Sequence, residues 1–226
     1  MIKFEDVSKS YENGTQVLEG VNLVILPKEF VFIVGPSGAG KTTLVKLLIR
    51  EELPTTGSIF FEDTDVTKVK KNLLPSLRRK IGVVFQDFKL LDSKTVFENV
   101  AVSLEVVERP EGEIKQVVPN VLNLVSLLNK SECFPYQLSG GEKQRLAIAR
   151  ALAHEPKVLI ADEPTGNIDP VASDEVVHLL EKINTLGTTV IMATHEVGIV
   201  NRMKRRVVLM HDGKIVKDEK VGRYEV

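Results

Sequence analysis

Short segments in which apolar and polar residues alternate make up much of the first sixty residues. Alternation of this kind predicts β-strands, because successive side chains of a strand point to opposite faces of a sheet. The predicted strands are residues 2–7, 17–26, 30–34 and 57–61. A glycine-rich loop, residues 35–40, follows the third strand, and residues 41–50 have helical spacing. The pattern therefore predicts strand, loop and helix in that order.

The pattern changes in the middle of the chain and then returns. Apolar residues recur at steps of three and four between residues 117 and 128, which predicts an amphipathic helix, and residues 142–153 predict a second one. Short apolar strands alternate with helices elsewhere in this part of the sequence. The strands are residues 81–85, 157–161 and 189–193, a helix spans about 171–185, and a hairpin turns at Asp212-Gly213. We predict an α/β core with a largely helical insertion.

Composition and charge narrow the possible partners. The 226 residues fit one globular domain, and 30 basic against 31 acidic residues leave a net charge of -1. A neutral chain has no overall field that attracts nucleic acid, so we expect no nucleic-acid partner. Basic runs near residues 68–71, 78–80 and 202–206 are interpreted as solvated surface, and contact with anionic lipid headgroups stays open for one of them. Cys133 is the sole cysteine, which excludes an intrachain disulfide.

Membrane insertion is not expected of this sequence. No apolar run approaches the ~18 residues that a membrane helix needs. If the protein acts at a membrane, another chain must cross the bilayer.

The glycine-rich loop carries the strongest chemical signal. It reads Gly35-Pro36-Ser37-Gly38-Ala39-Gly40-Lys41-Thr42 and fits the pattern G-x-x-x-x-G-K-[ST] between a strand and a helix. Glycines let successive backbone N–H groups face an anion, and the helix that begins at Lys41 adds its positive end. Lys41 is expected to reach the terminal phosphates of ATP, and Thr42 to ligate Mg²⁺. Thr43 is also predicted to bind the nucleotide.

Polar residues follow three of the predicted buried strands. Asp162 and Glu163 end one strand, where we expect Asp162 to hold Mg²⁺ and Glu163 to act as general base toward water. His195 follows another strand, either as a simple strand-end residue or in contact with a γ-phosphate. Gln86 has the same placement and could reach the metal and the attacking water.

The stretch Leu138-Ser139-Gly140-Gly141-Glu142 resembles the signature of ABC ATPases. The resemblance spans nearly the whole chain and implies a P-loop NTPase fold with a RecA-like core, an antiparallel β subdomain and a helical subdomain. It places the core and β subdomain at about residues 1–90 and 154–226, and the helical subdomain at about 91–153. It also implies that Tyr11 stacks on adenine and that Asp169 belongs to the nucleotide site.

The resemblance implies a homodimer as well. In this family the signature, here Ser139, Gly140 and Gly141, contacts the γ-phosphate bound by the opposite subunit. One chain has one phosphate loop and one signature, so two chains are needed to close two composite sites.

Thr165-Gly166-Asn167-Ile168-Asp169 resembles a narrower group of ABC ATPases that serve cell division, lipoprotein release or macrolide efflux. Residues 50–55 and 85–91 look most like the cell-division members. That likeness implies an integral membrane partner, a place on the cytoplasmic face of the membrane, and control of peptidoglycan hydrolysis outside it. The apolar side chains of Phe88, Leu90 and Leu91 either dock this partner or lie inside the protein.

Three other functions stay open on the sequence. The same ATPase could serve lipoprotein release or efflux, a soluble ABC ATPase could act on nucleic acid, and a nucleotide-gated scaffold could bind ATP with little hydrolysis. Neutral charge disfavours the nucleic-acid function, and the presence of Glu163 and His195 disfavours the scaffold.

Overall fold

The computed structural model describes residues 1–224, which form ten β-strands and seven α-helices. The strands are Ile2–Ser10 (β1), Gln16–Ile25 (β2), Phe30–Val34 (β3), Thr56–Phe61 (β4), Thr64–Asp65 (β5), Ile81–Val84 (β6), Val158–Asp162 (β7), Thr189–Thr194 (β8), Arg206–His211 (β9) and Lys214–Glu219 (β10). The helices are Lys41–Leu48 (α1), Leu74–Arg78 (α2), Val96–Glu105 (α3), Glu111–Leu124 (α4), Gly140–Leu152 (α5), Pro170–Thr185 (α6) and Val197–Met203 (α7). No helix within residues 1–224 combines the length and apolarity that crossing a bilayer requires.

A six-stranded sheet in the order β10-β9-β3-β8-β7-β6 forms the centre of the fold. Its strands run parallel except β10, which pairs antiparallel with β9. Every residue of β3, β7 and β8 is buried, which explains why these strands read as continuous apolar runs. Because parallel strands end at the same edge, the residues that follow them can meet there.

A second, antiparallel sheet has the order β2-β1-β4-β5. Strand β3 lies between the two hydrophobic cores of the molecule. Val31 and Ile33 pack in the core that contains the antiparallel sheet and α1, whereas Phe30 and Phe32 pack in the core that contains the remaining long helices. The alternation of side chains along one strand thus joins the two halves.

Helices α3, α4 and α5 lie between β6 and β7 in the chain and pack on one another. Capping boxes define the first turns of α3 and α5, with Thr95 paired to Glu98 and Ser139 paired to Glu142. The predicted ABC-type α/β fold, with its antiparallel sheet and helical part, is confirmed. The exact limits proposed for the subdomains stay a prediction.

Several elements differ from the sequence-based prediction. The helix expected across residues 117–128 begins earlier, at Glu111 after Pro110, and ends at Leu124, because Ser126 adopts a positive φ of 60°. Helices α2, α3 and α7 and the short strand β5 were not predicted. The hairpin turn at Asp212-Gly213 is confirmed, and both residues have positive φ, 45° and 75°.

Candidate functional site

The glycine-rich loop connects β3 to α1 and depends on conformations that side chains disfavour. Gly38 and Gly40 have φ values of 83° and 99°. A Cβ atom on Gly40 would lie 2.6 Å from Leu18 Cδ2 and 2.9 Å from the Val17 carbonyl oxygen. Space as well as backbone conformation therefore requires glycine at this position.

Lys41 lies over the loop with its amino group held in place. The residue is 7% exposed, and Nζ donates to the carbonyl oxygens of Gly35 at 2.7 Å and Pro36 at 3.3 Å. Glu163 Oε1 is 3.5 Å from the same nitrogen. The ammonium is thus positioned where the loop and the end of β7 meet, and it can offer positive charge to an anion bound there.

Asp162 is the last residue of β7 and is almost fully buried. Burial raises the pKa of its carboxyl group, against the opposing effect of the nearby Thr42 hydroxyl. Oδ1 has no hydrogen-bond partner among the described residues. A buried oxygen of this kind costs free energy unless a ligand satisfies it, so Asp162 can offer an oxygen to a cation or to its bound water.

Glu163 and His195 form a pair at the ends of adjacent strands. His195 Nδ1 lies 2.9 Å from Glu163 Oε2. The Glu163 backbone has a positive φ of 49°, and its N–H donates to the Ala193 carbonyl oxygen at 2.9 Å. This left-handed turn sets the Glu163 side chain apart from that of Asp162, and it leaves the carboxylate between the Lys41 ammonium and the histidine ring.

These residues line one cleft. Its walls are formed by Val17, Ser37, Gly38, Ala39, Gly40, Lys41, Thr42, Thr43, Gln86, Glu163 and His195. The structure therefore brings together the predicted loop residues, the predicted base, the histidine and the glutamine. The carbonyl oxygens of Gly35 and Pro36 accept hydrogen bonds from Lys41, and Asp162 is the last residue of β7, directly before Glu163. Val17 was missed by sequence analysis, where it appears only as a strand residue.

The predicted signature residues lie elsewhere in the chain. Ser139, Gly140 and Gly141 are absent from the cleft walls. The Ser139 hydroxyl accepts from the Glu142 N–H at 3.3 Å and so caps α5. A Cβ atom on Gly141 would lie 2.5 Å from Ala172 Cβ, so this glycine permits close approach of α5 and α6.

Tyr11 and Asp169 also lie outside the cleft walls of the single chain. The Tyr11 hydroxyl donates to Glu52 Oε1 at 3.0 Å, and Lys9 Nζ is 5.0 Å from the centre of its ring. Asp169 Oδ1 accepts from the backbone N–H groups of Val171 and Ala172, both at 3.0 Å, and so caps α6.

The loops that follow β6, β7 and β8 are bonded to each other. Asn167 Nδ2 donates to the Gln86 carbonyl oxygen at 2.9 Å, and the Thr165 hydroxyl donates to the Glu196 carboxylate. The sequence indicates no such role for Thr165, Asn167 or Glu196, because nothing local to these residues identifies their partners. The contacts join the loop after Glu163 to the glutamine on one side and to the histidine loop on the other.

A groove of about 660 Å³ lies between α2, β6, α3 and α5. Its walls are formed by Pro75, Arg78, Arg79, Val83, Val102, Ser103, Val106, Val107, Arg150, Ala151 and His154. Arg150 donates to the carbonyl oxygens of Phe88 at 3.0 Å and Lys89 at 2.7 Å. The groove is therefore directly connected to the segment that follows Gln86.

The three apolar residues after Gln86 have different environments. Phe88 and Leu90 are partly buried and pack against the hydrophobic core, whereas Leu91 is exposed. None of the three lines the groove. Apolar surface in the groove is instead supplied by Val102 on α3 and by Val106 and Val107 just after that helix, and Val106 is 75% exposed.

Comparison with known proteins agrees with this geometry. Residues 18–166 match the ABC transporter family. The chain is 54% identical to the cell division ATP-binding protein FtsE of Bacillus subtilis, over 99% of this chain and 98% of that protein. It is 48% identical to the FtsE of Mycobacterium tuberculosis, over 99% and 98%. Among solved structures, a dimeric post-hydrolysis state of the cassette MJ0796 bound to ADP and Pi is similar with a TM-score of 0.88 and 34% identity, and the match covers 99% of this chain and 100% of that one.

Proposed function

This chain belongs to the ABC transporter family and is an ATPase, and we propose that it drives a cell-division complex in which two copies close over ATP and pull on a membrane partner. The observation that carries the proposal is the cleft in which the buried Lys41 and the Glu163–His195 pair face the same loop. Nearly complete coverage of relatives named for cell division supports the cellular role.

ATP fits the cleft by its charge. The loop offers backbone N–H groups and the N-terminus of α1, and Lys41 adds a full positive charge that is already held by two carbonyl oxygens. A triphosphate would give this ammonium anionic oxygens in exchange for neutral ones. We assign ATP binding to residues 35–43, with Tyr11 as the residue that meets the adenine.

The orphaned Oδ1 of Asp162 and the Thr42 hydroxyl fit Mg²⁺, because both are oxygen donors, which this ion prefers. These two residues would hold the ion together with Gln86, which lines the same cleft. When bound, Mg²⁺ neutralises charge on the phosphate oxygens.

Hydrolysis needs a base that can remove a proton from water. Glu163 is nearly buried, with 13% of its side chain exposed, and faces the loop. We assign the proton transfer to this carboxylate. His195 orients it through the 2.9 Å contact and has enough exposure, 55% of its side chain, to reach a terminal phosphate.

Dimer formation follows from the position of the signature. The N-terminus of α5, with Ser139 and Gly141, is a second site that favours anions, and it does not line the chain's own cleft. A second copy brings this end to the phosphate, as the dimeric form of the MJ0796 cassette suggests. The closed state forms because ATP bridges the copies and ADP does not. Asp169, at the end of the same loop as Asn167, would lie at this interface.

The groove beside the glutamine loop suits a helix of the membrane partner. Val102, Val106 and Val107 offer apolar surface, and Arg79, Arg150 and His154 lie around it. Arg150 ties the groove to the backbone after Gln86, so a change at the nucleotide can move the groove.

In the cell, the partner would be an integral membrane protein that resembles FtsX, the usual companion of FtsE. The ATPase would lie at the cytoplasmic face of the membrane, and the pair would control peptidoglycan hydrolysis on the other side. Lipoprotein release and efflux are the alternatives, and the identity of the co-purified membrane protein distinguishes among them.

Co-purification from detergent-solubilised membranes tests the docking groove. Val106→Asp places a charge on its exposed apolar wall, and we expect recovery of the membrane partner to fall at least tenfold. Val221→Asp changes a similarly exposed valine outside the groove and serves as the matched control. Undiminished recovery with Val106→Asp would contradict docking in this groove, and recovery of a lipoprotein-release or efflux permease would contradict the cell-division role.

A further inference from the structure

A basic segment, residues 66–80, runs from the end of the antiparallel sheet through α2 to β6. It contains six basic residues and no acidic one, in a chain whose net charge is -1. The basic residues are Lys68, Lys70, Lys71, Arg78, Arg79 and Lys80. All six are exposed. ATP binding and hydrolysis as proposed above use none of them, although Arg78 and Arg79 also line the groove proposed for the membrane partner.

Half of these charges are already engaged within the chain. Lys68 pairs with Asp65 at 2.8 Å, and Lys80 pairs with Glu62 at 2.9 Å. Arg78 donates to the carbonyl oxygens of residues 49 and 50. Lys70, Lys71 and Arg79 have no ion-pair partner within residues 1–224, so three positive charges on this surface are free to meet an external anion.

Some apolar side chains of the basic segment pack into the protein, and one is exposed to solvent. Leu77 is buried, and Val69 and Leu74 pack against the second core. Leu73, in contrast, is 52% exposed and lies two residues after Lys71 in the chain. Long basic side chains around one exposed leucine suit the boundary between lipid headgroups and acyl chains.

The position of the segment favours a membrane over other polyanions. Pro75, Arg78 and Arg79 also form one wall of the groove between α2 and α3. If the membrane partner docks in that groove, a point that rests on the proposed function, the basic segment borders the place where the partner leaves the bilayer. Because this segment holds six basic residues and no acidic one in a chain of net charge -1, the rest of the chain has a net charge of -7, which disfavours a long nucleic acid that extends beyond the segment.

We propose that Lys70, Lys71 and Arg79, with Leu73, bind the anionic headgroups of the membrane surface directly. The surface orients the ATPase against the bilayer beside its partner. Each basic residue contributes an electrostatic attraction that salt screens, so binding is strongest at low ionic strength and to lipids of net negative charge.

Co-sedimentation of the purified chain with protein-free vesicles tests this proposal. Vesicles of phosphatidylglycerol and phosphatidylcholine should retain the protein in 0.05 M NaCl and release most of it in 0.5 M NaCl. Pure phosphatidylcholine vesicles should retain little. The triple substitution Lys70→Glu, Lys71→Glu and Arg79→Glu should lower the partition coefficient about a hundredfold, roughly fivefold or more per residue.

The matched control places the same charge change at the other edge of the sheet. Lys217→Glu, Lys220→Glu and Arg223→Glu lie on or just after β10, which is the edge strand opposite β6. This triple variant should retain most of the vesicle binding. A Gln version of the first triple, with circular dichroism on every variant, separates loss of charge from loss of fold.

Three results would overturn the proposal: equal binding to neutral vesicles, no binding to anionic vesicles at low salt, or equal losses in both triple variants. Retention on a duplex DNA without retention on vesicles would also overturn it, in favour of nucleic acid. The vesicles contain no membrane protein, so failure here leaves the proposed partner and ATP cycle untouched.

Discussion

His195 Nδ1 lies 2.9 Å from Glu163 Oε2, although the two residues are 32 positions apart in the chain. The contact exists because β7 and β8 are adjacent parallel strands whose ends lie at the same edge of the sheet. It holds a carboxylate in place that also lies 3.5 Å from the Lys41 ammonium. The proposed base, its proposed positioning partner and the lysine proposed to bind phosphate therefore form one connected group.

Removing the histidine should impair turnover more than nucleotide binding. In His195→Ala the Glu163 carboxylate loses the ring that orients it, while the glycine loop and Lys41 keep their contacts. We expect kcat for ATP hydrolysis to fall about a hundredfold, and KM to change less than about threefold. Steady-state kinetics on the dimer-competent protein measures both.

His178→Ala is the control for that substitution, since His178 is an exposed histidine on α6 whose side chain is outside the cleft. It should leave kcat within a factor of two. A tenfold rise in KM for His195→Ala with unchanged kcat would contradict the assigned positioning role.

Asp162 should limit the stability of the nucleotide-free chain. Burial raises the pKa of the Asp162 carboxyl group, so the folded chain binds this proton more tightly than the unfolded chain does. The contribution of the protonated group to the free energy of unfolding is therefore lost as pH rises through the folded pKa. Asp162→Asn keeps the shape and removes the buried charge. We expect the Tm at pH 7 to rise by a few degrees, and this gain to shrink toward acidic pH, while ATP hydrolysis falls below about 1% of normal.

Thermal unfolding from pH 8 down to pH 4, close to the ordinary pKa of 3.8, measures this effect, and Asp174→Asn, a change at an exposed aspartate, is the control. A lower Tm for Asp162→Asn at pH 7, with the control unchanged, would show that the carboxylate stabilises the nucleotide-free fold and would contradict the argument.

Glu62 should stabilise the chain only above acidic pH. Hydrogen bonds from Lys157, which has the larger effect, and from Lys80 lower the pKa of the Glu62 carboxyl group from its ordinary 4.5 to about 2. The stabilisation is therefore complete above about pH 4.5 and is lost as pH falls toward 2. Because the side chain is 30% exposed, we expect Glu62→Gln to cost only about 1 kcal/mol of unfolding free energy at pH 7, and less at pH 3.

Urea unfolding at both pH values measures this cost. In a Lys157→Met background the cost of Glu62→Gln at pH 7 should shrink, because one of the two donors is already gone. A constant cost at pH 3 and 7 would contradict the ion-pair explanation.

The sequence was sufficient to predict those parts of the fold and the site that depend on adjacent residues. The limits of β3 were predicted to the residue, and the loop after it, with Lys41, was placed correctly because a continuous apolar run and a glycine pattern are local signals. The polar residues Asp162 and Glu163 were expected at the end of a buried strand, and the parallel pairing of β7 and β8 explains how Glu163 meets His195.

Contacts between distant segments could not be predicted in this way. Asn99 is fully buried and bonds both the N–H and the carbonyl oxygen of Leu91, which holds the segment after the glutamine loop, yet nothing around Asn99 in the sequence indicates this. The left-handed backbone of Phe88 and Lys89, with φ of 58° and 51°, likewise depends on the carbonyl contacts made by Arg150. Tertiary packing, not local propensity, determines these features.

The mass of Glu163→Gln in solution tests most directly whether two copies enclose the nucleotide. Light scattering after size exclusion, with saturating ATP and Mg²⁺, should give about 50 kDa, twice the 25.1 kDa of one chain. The same protein with ADP should give the mass of one chain, because the bridge needs the third phosphate. A single-chain mass with saturating ATP, or ATP hydrolysis at the normal rate, would contradict the account.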